Sequence, residues 1–221
     1  MIRDPATTDL LTPGRLEAIP ARWAGTRGAA LALADERGEW TWRELEHGRK
    51  QLAELLLTLG IRAGDRVMVV GENCATLVAL LFAISSVHAW AVIANARLSP
   101  REIDGIRAHC GARRVLYLGD DSADARHHAE RVQATRLSLG SWGTISVSAM
   151  DERCAPEAFE GSPVRDVAAL VYTTGTTGEP KGVMLTHANL LFIARMAVEL
   201  RNIKPEDRVY GILPLSHVYG L

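Results

Sequence analysis

Residues 66–94 read RVMVVGENCATLVALLFAISSVHAWAVIA, and their reading decides the fold. Arg66-Val67-Met68-Val69-Val70 is short, apolar and β-branched, the pattern of a strand buried on both faces. An apolar helix is expected over about 74–87, and a second strand near 90–94. The break Ser85-Ser86-Val87-His88 falls where helix gives way to strand. Ala75 to Ala94 carries no formal charge over about the length that crosses a bilayer, but polar Thr76, Ser85, Ser86 and His88 favour a buried helix and strand over a membrane span.

Working outward, the same alternation continues on both sides. Thr41-Trp42-Arg43-Glu44 has the capping-box form, in which a hydroxyl and a carboxylate satisfy backbone donors at a helix start. Leu45, Leu52, Leu55, Leu56 and Leu59 follow at helical spacing, Gly60 suits the left-handed residue after the last turn, and Ala63-Gly64-Asp65 is a turn. Downstream, Ser99-Pro100-Arg101-Glu102 opens a helix running to about residue 110, and Val115 to Leu118 is the next strand. Strand, helix, strand, helix, strand predicts an α/β fold, a parallel doubly wound sheet layered with helices. Residues 120–163 hold a polar helix candidate and a weak strand near 144–147, and irregular structure is expected there. Asp120, Asp121, His127 and His128 are read as solvated surface groups rather than metal ligands, because adjacent histidines on a helix point to different faces.

Composition narrows the classes of function. With 25 Lys+Arg against 26 Asp+Glu in 221 residues, no positive surplus awaits a polyanion, so nucleic acid is not expected as a partner. The cysteines, Cys74, Cys110 and Cys154, are odd in number and widely spaced, which predicts neither a disulfide framework nor a zinc site. Met1-Ile2-Arg3-Asp4-Pro5 lacks the pattern of an export signal, and a cytoplasmic location with no transmembrane segment is expected.

The chemistry is expected in Asp166 to His187, DVAALVYTTGTTGEPKGVMLTH. Val167 to Tyr172 is an apolar strand that enters Thr173-Thr174-Gly175-Thr176-Thr177-Gly178-Glu179-Pro180-Lys181-Gly182. Glycines allow close approach of backbone N–H groups to an anion, hydroxyls donate further hydrogen bonds, and an ammonium offsets charge, so this composition suits phosphate. The loop of nucleoside triphosphatases requires Gly-Lys-Ser/Thr opening into a helix, whereas here Pro180 precedes Lys181 and Gly182 follows it. Val183-Met184-Leu185 then reads as a strand, so the loop joins strand to strand. A helix is expected from about His187, with Leu190, Ala194, Ala197 and Val198 on its apolar face. No Gly-x-Gly-x-x-Gly follows any strand, which disfavours a dinucleotide fold.

Tyr172 to Val183 resembles the signature of the adenylate-forming (AMP-binding) superfamily of acyl-CoA synthetases, luciferases and peptide-synthetase adenylation domains, and in particular the acyl-CoA synthetase or fatty-acid-CoA ligase type. The likeness extends to Thr41–Leu45, Gly64–Val67, Asn95–Ser99 and Leu213–Gly220. It implies activation of a small-molecule carboxylic acid by ATP as an acyl-adenylate, followed by transfer to coenzyme A. It further implies that Thr173, Thr174, Gly175, Thr176, Thr177, Gly178, Glu179, Pro180 and Lys181 bind the nucleotide, that Thr173 lies near Mg²⁺, and that Lys181 and His217 are catalytic. His88 stands where the family commonly has glycine. The chain ends at Leu221 inside a family motif, so the expectation is an N-terminal part, inactive alone, with 1–163 as a first α/β subdomain carrying an N-terminal helix and hairpin. Residues 164–221 would then begin a second, incomplete subdomain, and an uncovered apolar strand edge would favour homo-oligomers. The alternatives are a nucleotide-binding or interaction module without ligase turnover, and a hydrolase acting on ATP without acid.

Overall fold

The computed structural model describes residues 14–173, 181–217 and 219–221. Helix α1 (Ala18–Arg27) precedes an antiparallel hairpin, β1 (Leu31–Asp35) and β2 (Gly38–Thr41). Then follow α2 (Trp42–Thr58), β3 (Arg66–Gly71), α3 (Ala75–Ser86), β4 (Trp90–Asn95), α4 (Pro100–Cys110) and β5 (Ala112–Tyr117). The remainder is α5 (Ala123–Arg131), β6 (Thr135–Ser138), a 3₁₀ turn at Gly140–Trp142, β7 (Thr144–Val147), β8 (Val167–Thr173), β9 (Lys181–Thr186) and α6 (His187–Arg201).

One seven-stranded sheet has the order β6-β7-β5-β3-β4-β8-β9. Its centre, β5-β3-β4-β8, is parallel, while β7, β6 and β9 join antiparallel. The α/β sheet is thus present, but it is mostly rather than wholly parallel. Successive residues of β3 serve opposite layers, as the period of two in a strand requires. Val67 and Val69 pack with Leu45, Leu52 and Leu56 of α2 and Leu77, Leu80 and Ile84 of α3. Met68 and Val70 pack instead with Ile103 and Ile106 of α4 and Ala125 and Ala129 of α5. Burying each such Leu or Ile side chain stabilises the fold by about 1.5–3 kcal/mol.

The expected helix boundaries hold at their chemical signals. Thr41 and Glu44 form the reciprocal cap of α2, as Ser99 and Glu102 do for α4. Gly60 has φ +80°. His88 takes φ +57°, so the turn closing α3 keeps the left-handed geometry that glycine adopts without cost, and the imidazole stacks on Phe159 at 4.2 Å. Three readings are corrected. Strand β5 starts at Ala112 rather than Val115, because Arg113 and Arg114 turn their guanidinium groups back to the Gly60 and Leu59 carbonyls and leave the backbone free to pair. Residues 120–163 contain an ordered strand, β6, whose polar Thr135-Arg136-Leu137-Ser138 gave no apolar signal because it lies at the sheet edge. Helix α6 buries His187 and Leu191, while Ala194 is exposed. Among the described residues no helix is long and apolar enough to cross a membrane.

Candidate functional site at the carboxyl edge of the sheet

Parallel strands β3, β4 and β8 end side by side at Gly71, Asn95 and Thr173. The chain runs from β3 to β4 on one side and from β4 back across to β5 on the other, so the strand order reverses at this point. In open α/β sheets such a reversal leaves a crevice outside the carboxyl ends, where ligands bind.

Strand β8 delivers Thr173 to this edge, and antiparallel β9 starts there with Lys181. The two residues are register partners, as are Tyr172 and Gly182. The expected strand-to-strand loop therefore has its ends fixed as a hairpin, with the Lys181 side chain exposed. Thr174, Gly175, Thr176, Thr177, Gly178, Glu179 and Pro180 lie outside the described residues. Gly182 lies close under the Tyr172 ring, where a Cβ would sit 3.2 Å from Cζ and press on the phenol. The Tyr172 hydroxyl hydrogen-bonds to His109 Nδ1 at 2.7 Å, tying the base of the hairpin to α4. Burial, and to a lesser degree Cys110, pushes the phenol pKa up, so the hydroxyl stays protonated at neutral pH.

His217 is exposed on the segment after α6. Its Nδ1 accepts from the Tyr219 N–H at 3.3 Å, which leaves the proton of the neutral ring on Nε2, and the rings stack at 5.4 Å. This segment reaches the same sheet edge through Asn73, two residues beyond β3, whose side chain bonds to Gly211, Leu213 and Leu215. Thr173 and Lys181 are thus brought together, and among the described residues His217 makes no hydrogen bond to either. Asn73, Tyr172 and His109 were not read as site residues. Asn73 carried a signal, because Gly71-Glu72-Asn73 is a polar turn directly after a central strand.

Other clusters are already committed. Asp120 pairs with Arg136 and Asp121 with Arg37, whereas His128, expected as a solvated surface group, is buried because its Nε2 donates to the Ala96 and Leu98 carbonyls at 3.0 Å. Among the described residues no group of three or more His, Cys, Asp or Glu could hold a metal ion. Cys74 caps α3 by accepting from the Leu77 N–H at 3.4 Å, and burial followed by the Asp121 charge pushes its thiol up to about 12. A cleft of about 570 Å³ lies between β2, α2 and Trp142, but it contains no residue expected in the site.

Residues 20–221 match the AMP-binding enzyme family, and the chain belongs to it. It is 32% identical over 204 residues to a feruloyl-CoA synthase of Amycolatopsis, covering 91% of this chain and 39% of that protein. It is 30% identical over 236 residues to the acyl-CoA ligase sidI of Beauveria bassiana, covering 99% of this chain and 40% of the relative. Among solved structures, o-succinylbenzoate CoA synthetase (MenE) of Bacillus subtilis, in complex with the acyl-adenylate intermediate OSB-AMP, superimposes with a TM-score of 0.69 at 27% identity, over 94% of this chain and 51% of that one. The chain therefore spans about two fifths of the length of the curated relatives it matches.

Proposed function

We propose that this chain is the part of an ATP-dependent acid–thiol ligase that carries the phosphate loop. The observation supporting the reading is the pairing of Thr173 with Lys181 at the carboxyl edge of a doubly wound sheet, flanking a loop of hydroxyls and glycines. In this reading a carboxylate attacks the α-phosphate of ATP, pyrophosphate leaves, and the coenzyme A thiol displaces AMP from the acyl-adenylate. Lys181 and the loop hydroxyls and N–H groups of 173–180 hold the β- and γ-phosphates and offset the charge that gathers on the departing pyrophosphate. A hydroxyl oxygen and an ammonium are a donor set that fits a polyanion accompanied by a hard cation. Magnesium, when bound, would supply further neutralisation of phosphate charge, and Thr173 is the residue that would hold it. His217 lines the acyl site. In this reading a second subdomain begins after residue 163 with β8 and β9 as the strands it shares with the first sheet, and the reducing cytoplasm is the compartment that suits three free thiols. Exposed Met184 on the outer strand β9 supports association of copies through this strand edge, which light scattering at increasing concentration tests.

Calorimetric titration with ATP and Mg²⁺ tests the core of the reading. Lys181→Ala is expected to bind at least about tenfold more weakly than wild type, since a hydrogen bond to a charged group contributes about 1.5–3 kcal/mol. Equal affinity would refute the role of the loop. ATP hydrolysis without any added acid would instead favour a hydrolase, and ATP binding without acid-dependent pyrophosphate exchange a binding module.

A further inference from the structure

The Asn73 carboxamide directs three hydrogen bonds at one distant stretch of chain. Its Nδ2 donates to the Gly211 and Leu213 carbonyls, both at 2.8 Å, and its Oδ1 accepts from the Leu215 N–H, also at 2.8 Å. Two donors and an acceptor aimed at alternate residues of one segment fix both its distance and its orientation. The backbone-to-backbone bonds of residues 209–221 are all local among the described residues, from Ile212 to Tyr210, His217 to Pro214, and Gly220 and Leu221 to His217. Of the apolar side chains in this segment, Leu215 and Leu221 pack on the core layer of α2 and α3, whereas Val209, Tyr210, Ile212, Leu213 and Tyr219 are exposed. The segment is thus anchored by Asn73 at Gly211, Leu213 and Leu215 and by the packed side chains of Leu215 and Leu221, which lie on either side of His217.

We propose that Asn73 is a positioning residue for the acyl site: by clamping residues 211–215 to the carboxyl edge of the sheet it sets where His217 stands. The proposal deepens the ligase reading above and rests on it for the role of His217. A strand-end carboxamide that merely satisfied its own turn would bond to neighbouring backbone, whereas all three bonds described here cross to residues 138–142 positions away. Orienting a reacting group through a rigid support is a recognised source of rate, because misplacement by about 1 Å can cost about 100-fold.

Amide hydrogen exchange of the full chain reads the clamp directly. In Asn73→Ala the Leu215 amide is expected to exchange at least about tenfold faster than in wild type. Asn73→Asp turns the two-donor end into an anionic oxygen facing the Gly211 and Leu213 carbonyls, so it should also release the Leu215 amide; this variant serves if Asn73→Ala folds poorly. Unchanged Leu215 exchange in Asn73→Ala overturns the proposal. Affinity for benzoyl- and dodecanoyl-sulfamoyl adenosine, stable mimics of an aromatic and an aliphatic acyl-adenylate, is then compared with affinity for AMP. Asn73→Ala should weaken the tighter acyl probe about tenfold and leave AMP unchanged. Equal loss for the acyl probe and for AMP indicates a general structural effect and overturns the positioning role. A wild-type chain that binds none of the three refutes the ligase reading instead, and the clamp is then judged on exchange alone.

Discussion

At the amino ends of the parallel strands the ionised side chains are buried and paired, whereas at the carboxyl ends hydroxyl, ammonium and imidazole groups face outward. Asp65, before β3, meets Arg113 at 3.2 Å and Arg62 at 3.2 Å, and buried Arg66 donates to the Cys110, Gly64 and Ala155 carbonyls. Asp166, before β8, takes Arg15 Nη1 at 2.7 Å and the Glu160 N–H at 3.0 Å. His187 follows β9 at the same end, fully buried, with Nδ1 accepting from the Leu16 N–H at 3.2 Å. Opposite them, Lys181 and His217 are exposed. Charges sealed from water are held by partners and are unavailable to a ligand, so one end fastens the sheet and the other can bind.

Replacing Asp166 with Ala is the strongest way to break this contrast, because it removes one of the two carboxylates that hold the half-buried Arg15 guanidinium, Glu17 remaining at 2.9 Å, and takes the acceptor from the Glu160 N–H. A loss of about 2 kcal/mol is expected from the lost charged hydrogen bonds, a fall of roughly 4–8 °C in the thermal midpoint for a chain of this size. A fall below about 2 °C would show that the amino edge is not the fastening end.

Acid comes next in size. Burial, followed by the charge of Arg15, pushes His187 down to about 4 from its ordinary 6.5, and Glu17, Asp166 and His88 also face it. The unfolded chain therefore binds a proton that the folded chain refuses, so stability present above pH 6.5 is lost as pH falls from there to about 4. Asp166 acts in a lower window: burial pushes its carboxyl up, but the Glu160 N–H and Arg15 outweigh this and hold it below its ordinary 3.8. Denaturant titrations from pH 8 to pH 4.5 should show the decline, and His187→Asn should flatten it. A profile unaffected by that substitution would remove His187 as the cause. The smallest effect is expected at the open edge, where Lys181→Ala should shift the midpoint by less than about 2 °C, within the ±0.5 kcal/mol usual for surface sites. A larger shift would mean that this end also fastens the fold.

Legibility in the sequence followed the same divide between local and distant causes. The caps at Thr41 and Ser99, the buried runs of β3 and β4, and the strand-loop-strand reading of 167–185 all rest on neighbouring residues, and each has its counterpart in the fold. Strand β6 has no local apolar signal and is defined by pairing with β7. The antiparallel outer strands follow from which partner a strand meets, which no short stretch encodes. Within the site, Thr173 and Lys181 could be named from composition, whereas Asn73 acquires its meaning only when residues 211–215 arrive beside it from far along the chain.

Strand β4 pairs with β3 on one side and, from Ala91↔Ala169 onward, with β8 on the other. Its second neighbour is supplied only after α4, β5, α5, β6 and β7 have been made. A nascent chain that has completed β3, β4 and β5 thus presents an apolar flank with unpaired amides, and the β8–β9 hairpin is the late wedge that covers it. Pulse-labelled refolding should find the amides of β3 protected before those of β8, since pairings between distant stretches form slowly. Thr173 and Lys181, register partners within that hairpin, would then be brought together among the last parts of the sheet.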